Sequence, residues 1–213
     1  PVTIGASAPF QANAIHSLAV VEYLPTGATG CTGTVPARGT AGTHIAIIGD
    51  SLMNQGGQGE TNVKAAFAAH GWPNASIWFR GVDGKQINAP EQSSGLTTVN
   101  NIAQARADLG AEPDLWYIQL LGNDFGSTDV QIRADIQTVL NALGSSAKVA
   151  WVTFIQGVSV STNILRGNAI LHDMIGNRPN SFVVDWWEYA LQHDNPDGWY
   201  VDGTHMTTTG YAV

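Results

Sequence analysis

Five short apolar runs recur along the chain between segments of helical periodicity, and this alternation limits the fold more than any other feature. The runs are His44–Ile48, Ala75–Arg80, Leu115–Leu121, Lys148–Ile155 and Ser181–Asp185. Each is apolar at nearly successive positions, which suits strands buried on both faces and so a parallel sheet. Between them lie predicted helices over 59–70, 96–109, 128–143 and 162–176. In the first, Val63, Ala66, Phe67 and His70 share a face and Gly71 ends the helix. In the third, Val130, Ile132, Ile136, Val139, Leu140 and Leu143 form the apolar stripe and Gly144 stops it. Alternating strands and helices predict an α/β fold, a three-layer α/β/α sandwich around a five-stranded parallel sheet. Right-handed crossovers and a flavodoxin-like order 2-1-3-4-5 put the ligand crevice between the first and third strands.

Residues 1–43 lack this pattern. They are rich in Ala, Thr, Gly and Pro, with a candidate strand over 17–24 and a loop over 26–42. They are expected to form an extension or linker packed on a main domain spanning 44–213. A start at Pro1 and a last stretch, Thr207–Val213, that reads as an interrupted helical turn suggest a piece of a longer chain. No internal repeat is evident.

Charge narrows the partners. The net charge is -8, and only nine residues are Lys or Arg, scattered along the chain. Nucleic-acid binding needs clustered cations, so it is not expected. Cys31 is the single cysteine, which excludes an internal disulfide or a thiolate metal cluster. No apolar run approaches the roughly 18 residues of a membrane span.

The chemistry starts where the first run stops, at Gly49-Asp50-Ser51. A small hydroxyl residue at the carboxyl end of a buried strand sits where α/β folds bind ligands, and it becomes a nucleophile beside a base. Six histidines are candidate bases: His16, His44, His70, His172, His193 and His205. His205 stands apart because Asp202 precedes it by three positions in a polar loop after the last strand. That spacing lets a carboxylate orient one ring nitrogen, although a capping aspartate has the same spacing. Other segments invite simpler readings. Gly56-Gly57-Gln58-Gly59 lacks the Lys-Ser/Thr of a phosphate cradle and reads as a loop beside the nucleophile. His193-Asp194-Asn195-Pro196-Asp197 has oxygen ligands in an order that fits no calcium loop. His172-Asp173 lies on a helix and is expected to face solvent. Asp50 and Asp124 are expected to pin turns through backbone N–H groups. No metal or organic cofactor is implied.

Gly49-Asp50-Ser51, Gly84, Gly122-Asn123-Asp124 and Asp202-x-x-His205 occur in this order, each after a predicted strand. Together they resemble the SGNH, or GDSL, hydrolase family, whose four sequence blocks supply Ser, Gly, Asn and His. The likeness runs from about residue 45 to the end. It implies a Ser51–His205–Asp202 triad. It also implies an oxyanion hole of the Ser51 and Gly84 backbone N–H groups and the Asn123 side-chain amide. Short runs, Val82-Asp83-Gly84-Lys85-Gln86, Val184-Asp185-Trp186 and Trp199-x-x-Asp202-Gly203-x-His205, further resemble the extracytoplasmic SGNH domains of cell-envelope O-acyltransferases. The resemblance therefore implies a serine esterase acting on short acyl, above all acetyl, esters, carbohydrate esters among them, in an extracellular or cell-envelope setting. An O-acyltransferase using the same acyl-enzyme is the alternative, and a binding module with a dead triad is a third. The Gly-x-Ser-x-Gly elbow of ordinary α/β-hydrolases is absent. Trp186, Trp187 and Trp199 cluster near the expected base. Trp186 and Trp199 are candidates for stacking on substrate, with core packing as the plainer role.

Overall fold

A computed structural model describes residues 44–54, 57–69, 72–154, 162–186, 199–200, 204–205 and 207. The N-terminal segment 1–43, with its expected strand and Cys31, lies outside these residues. So do His70, Gly71, His193, Trp187 and Asp202.

The five strands are β1 (Ile45–Gly49), β2 (Ile77–Gly81), β3 (Leu115–Gln119), β4 (Val149–Val152) and β5 (Ser181–Val184). They form one sheet in the order β2-β1-β3-β4-β5, and every pair is parallel. The expected order is thus the observed one, with the reversal of direction at β1. The helices are α1 (Ser51–Asn54), α2 (Gly59–Ala69), α3 (Thr98–Leu109), α4 (Asp129–Leu143) and α5 (Thr162–Gly176).

Strand alternation sorts the apolar residues onto two faces. Ala46 and Ile48 of β1, Trp116 and Ile118 of β3, and Val149 and Trp151 of β4 pack under α3, α4 and α5. Ile45, Ile47, Leu115, Tyr117, Ala150 and Val152 point the other way, where Val63 and Phe67 of α2 meet them. This division follows from right-handed crossovers: one connection runs from β1 to β2, and the later ones run in the opposite direction. Local sequence agrees with the packing. Thr97 and Thr128 cap α3 and α4, each accepting from the backbone N–H three residues on while Asn100 or Gln131 reaches back.

Several expected boundaries shift for identifiable reasons. Residues 74–76 form a 3-10 turn, so the second strand begins at Ile77. β3 leaves the sheet after Gln119; the buried Trp151 Nε1 donates to the Leu120 carbonyl at 2.9 Å. β4 ends at Val152, and the Asn168 side chain then pairs with both backbone groups of Phe154, at 2.9 and 2.8 Å. Val130, placed on the apolar stripe of α4, is 77% exposed. It occupies the first turn, where the stripe has not yet met the sheet. His172 and Asp173 lie on α5 and face solvent as expected; there His172 Nε2 lies 3.1 Å from Asp185 Oδ2, and Asp173 pairs with Arg133 at 2.5 Å.

Candidate active site

β1 carries the site because it lies between β2 and β3 in matched register. Gly49 is level with Gly81 on one side and Gln119 on the other. The three segments that follow these strands therefore emerge together at one edge of the sheet. They hold Ser51, Gly84 and Asn123.

Ser51 opens the single turn of α1, in which Met53 N and Asn54 N donate to the Asp50 carbonyl at 3.1 and 3.0 Å. The buried Asp50 carboxylate fixes this corner. Its Oδ1 accepts from Leu52 N at 2.9 Å, and its Oδ2 accepts from Asn123 Nδ2 at 3.4 Å. After β2, Val82 N donates to the Gly49 carbonyl at 3.1 Å, and Lys85 N closes a turn onto Val82 O at 3.1 Å. Gly84 takes φ +70 in that turn, a conformation that strains any residue with a Cβ. After β3, Gly122 is confined by space instead: a Cβ there would lie 2.4 Å from the Phe154 ring.

These segments are tied to each other. Asn123 Nδ2 also donates to Lys85 O at 3.1 Å, and Gln86 Nε2 donates to Asn123 O at 2.9 Å. Asp124, buried, accepts from Ile87 N at 3.1 Å. Asp50 and Asp124 thus pin turns through backbone N–H groups, as their positions suggest. Gly84 and Asn123 remain exposed to the crevice.

His205 arrives from the far end of the chain. Its Nε2 stands 2.9 Å from Ser51 Oγ, across a separation of 154 residues. Its neighbourhood is anchored from two sides. Thr207 N donates to Trp199 O at 2.7 Å, and Trp199 stacks on Trp186, just past β5, with centroids 6.1 Å apart and planes 22° from parallel. Trp199 is only 9% exposed. Trp186, its stacking partner, is half-buried. Asp202 lies outside the described residues. Of the other histidines, His44 stands at the start of β1, opposite to the strand end that carries Ser51, and His172 stands on α5, tied to Asp185.

Electrostatics separates the carboxyl groups around the crevice. Burial pushes Asp50 up to about 7, although the Leu52 N–H, Gln119 and His205 pull the other way. Burial likewise pushes Asp124 up to about 7, with the Ile87 N–H opposing and Asp135 and Asp50 adding to the rise. Glu91 goes the other way. Burial would raise it, but Arg80, Ser94, Asn101 and Lys85 all donate to it, and together they hold it well below the usual carboxylate range. Lys85 and Glu91 form an ion pair at 2.9 Å with both side chains fully buried. Arg80 completes the cluster from β2. In the sequence, Lys85 stands out only as part of the Val82–Gln86 run, and nothing there links it to Arg80 or Glu91. A lysine beside the site glycine in a chain with 12% charged residues was the available signal.

Chemically, the arrangement offers a hydroxyl within hydrogen-bond range of an imidazole, beside exposed amide donors, which is the equipment of acyl transfer. Among the described residues, no group of acidic, histidine or cysteine side chains is arranged to hold a metal ion. No described helix is long and apolar enough to cross a membrane.

No family model and no curated protein matches the sequence. Solved structures do match in fold. The C-terminal catalytic domain of the peptidoglycan O-acetyltransferase A of Streptococcus pneumoniae aligns with TM-score 0.55 and 15% identity. The alignment covers 78% of this chain and 81% of that domain. A member of the lipolytic protein G-D-S-L family from Veillonella parvula aligns with TM-score 0.59 and 15% identity, covering 79% and 92%. A two-domain esterase active on acetylated mannans aligns with TM-score 0.50 and 16% identity, covering 79% of this chain and 46% of that one.

Proposed function

We propose that this chain, which has the fold of the SGNH/GDSL hydrolases, is a serine esterase that removes short acyl groups, acetyl foremost, from carbohydrate esters. The observation that carries this reading is the 2.9 Å approach of His205 Nε2 to Ser51 Oγ. His205 takes the Ser51 proton as Oγ attacks the ester carbonyl. The oxyanion is held by the backbone N–H groups of Ser51 and Gly84 and the amide of Asn123. His205 then returns the proton to the departing alkoxide. Water repeats the cycle to release the acid. Asp202 is assigned the role of orienting the imidazole, on its spacing from His205 and the family resemblance. The Trp186–Trp199 stack lies beside the His205 segment, and the half-buried Trp186 is the candidate of the two for contact with substrate. An extracellular or cell-envelope location suits such a substrate.

The likeness in fold to an O-acetyltransferase domain supports a second reading, in which a sugar hydroxyl replaces water. Incubation with 4-nitrophenyl acetate and acceptor oligosaccharides separates the two: acetate release above transfer is expected, and the reverse favours the transferase. A fluorophosphonate probe tests the nucleophile directly. Labelling of the wild type and none of Ser51→Ala is expected; a folded wild-type protein that takes no label ends the enzymatic reading.

A further inference from the structure

We propose that the cleft between the end of β2, the end of α1 and the turn at Gln92–Ser93 is a carbohydrate subsite. It would hold the hydroxylated alcohol part of the ester while the acyl carbon lies at Ser51. This rests on the esterase reading and names where that enzyme grips its substrate.

The cleft has a volume of about 410 Å³ and is lined by Asn54, Arg80, Val82, Asp83, Gln92 and Ser93. That volume falls within the ordinary range for small-molecule sites. Its position follows from the site geometry. Asn54 ends the helical turn that Ser51 begins, three residues or about 4.5 Å further along the helix axis. Asp83 directly precedes Gly84, and the same loop is bonded to β1 through Val82 N and Gly49 O at 3.1 Å.

The lining decides which part of an ester fits. Of these six side chains only Val82 is apolar. The others present an amide, a guanidinium, a carboxylate, a second amide and a hydroxyl. An acyl chain placed there would displace water from the exposed Gln92 and Ser93 side chains and from the open Asp83 oxygen without replacing its hydrogen bonds, which is costly. Sugar hydroxyls both donate and accept, so they match a wall that mixes donors with acceptors. Arg80 and Asp83 bring opposite charges into one cleft, which favours a neutral sugar over an anionic one.

The polar groups are also held in place before any ligand arrives. Asp83 Oδ1 accepts from Asn54 Nδ2 at 2.9 Å, and a carboxylate retains further acceptor positions. Arg80 is fixed on Glu91, with Nε at 3.4 Å, and its Nη2 reaches Ser94 at 3.3 Å. The turn that carries Gln92 and Ser93 is closed by Glu91 N to Leu96 O at 3.0 Å and Gly95 N to Glu91 O at 2.8 Å. Groups fixed in this way lose little freedom on binding.

Two measurements on the full chain test the subsite. In the first, 6-O-acetylglucose is added to Ser51→Ala, and backbone amide shifts are followed by NMR. Shifts at Asp83, Gln92 and Ser93 that vanish on adding Ser93→Trp or Gln92→Ala are expected. No shifts there, or shifts that survive both changes, overturn the subsite. In the second, kcat/KM for 6-O-acetylglucose is divided by that for 4-nitrophenyl acetate, which has no sugar. Ser93→Trp should lower this ratio at least tenfold and Gln92→Ala about threefold. An unchanged ratio in both variants overturns the subsite even if the enzyme is active. Binding at the cleft with no turnover of either ester by the wild type leaves the subsite standing and removes the esterase reading.

Discussion

Buried carboxyl groups on the two flanks of the crevice behave in opposite ways. On the β2 side, Glu91 is surrounded by Lys85, Arg80, Asn101 and Ser94 and stays ionised. On the β1 and β3 side, Asp50 and Asp124 are as deeply buried but face backbone N–H groups and amides. Burial therefore raises them to about 7. The difference is what each flank must do. The β2 flank holds a loop of irregular backbone in shape and needs a strong, permanent anchor. The β1 and β3 flank adjoins Ser51, the proposed nucleophile, where a permanent negative charge would oppose a developing oxyanion.

If this contrast is right, the largest effect comes from removing the anchor. Glu91→Ala leaves Lys85 buried without its carboxylate and should cost about 3–5 kcal/mol of stability. Thermal or urea unfolding measures this, and a loss below about 1 kcal/mol would dissolve the contrast. Asn123→Ala should lower kcat by ~10²–10³, because it removes the proposed oxyanion donor, while the lost bonds to Lys85 O and Asp50 Oδ2 cost only about 1 kcal/mol each. A drop in stability that matches the drop in rate would make Asn123 a strut between loops instead. Lys85→Met should cost only about 1–2 kcal/mol, since Arg80, Asn101 and Ser94 still serve Glu91.

The contrast also has a pH signature. Asp50 and Asp124 have folded-state values raised from the ordinary 3.8 to about 7. Between those values the folded protein keeps protons that the unfolded chain has released, so stability falls as pH rises through that window. Asp124→Asn should flatten this slope. Glu91 has the reverse sign: its stabilisation is full above about pH 4.5, the ordinary value, and fades in acid below it. Unfolding midpoints of wild type, Asp124→Asn and Glu91→Gln between pH 3 and 8 resolve the two signs.

Much of the layout was readable in advance. The α/β class follows from the apolar runs and the helical periodicity between them; the strand order, and with it the meeting of Ser51 and Asn123 at one crevice, comes from likeness to a known fold class. The strand ends were less readable, because side chains far away set them: Trp151 caps Leu120 O, and Asn168 takes both backbone groups of Phe154. Val130 was misassigned because periodicity alone does not say where a helix first touches the sheet. The Lys85–Glu91–Arg80 cluster was invisible for a similar reason. Its charges are spaced irregularly and meet only when the loop after β2 folds over.

The order of residues along the chain was therefore enough to indicate a parallel α/β sheet with a hydroxyl at the end of its first strand, because burial and backbone chirality act on every such pattern alike. Three-dimensional packing set the approach of His205 to Ser51, the gathering of donors around Glu91, and the stacking of Trp186 on Trp199. Each of these depends on distances between segments that are remote in sequence, and no local rule contains them.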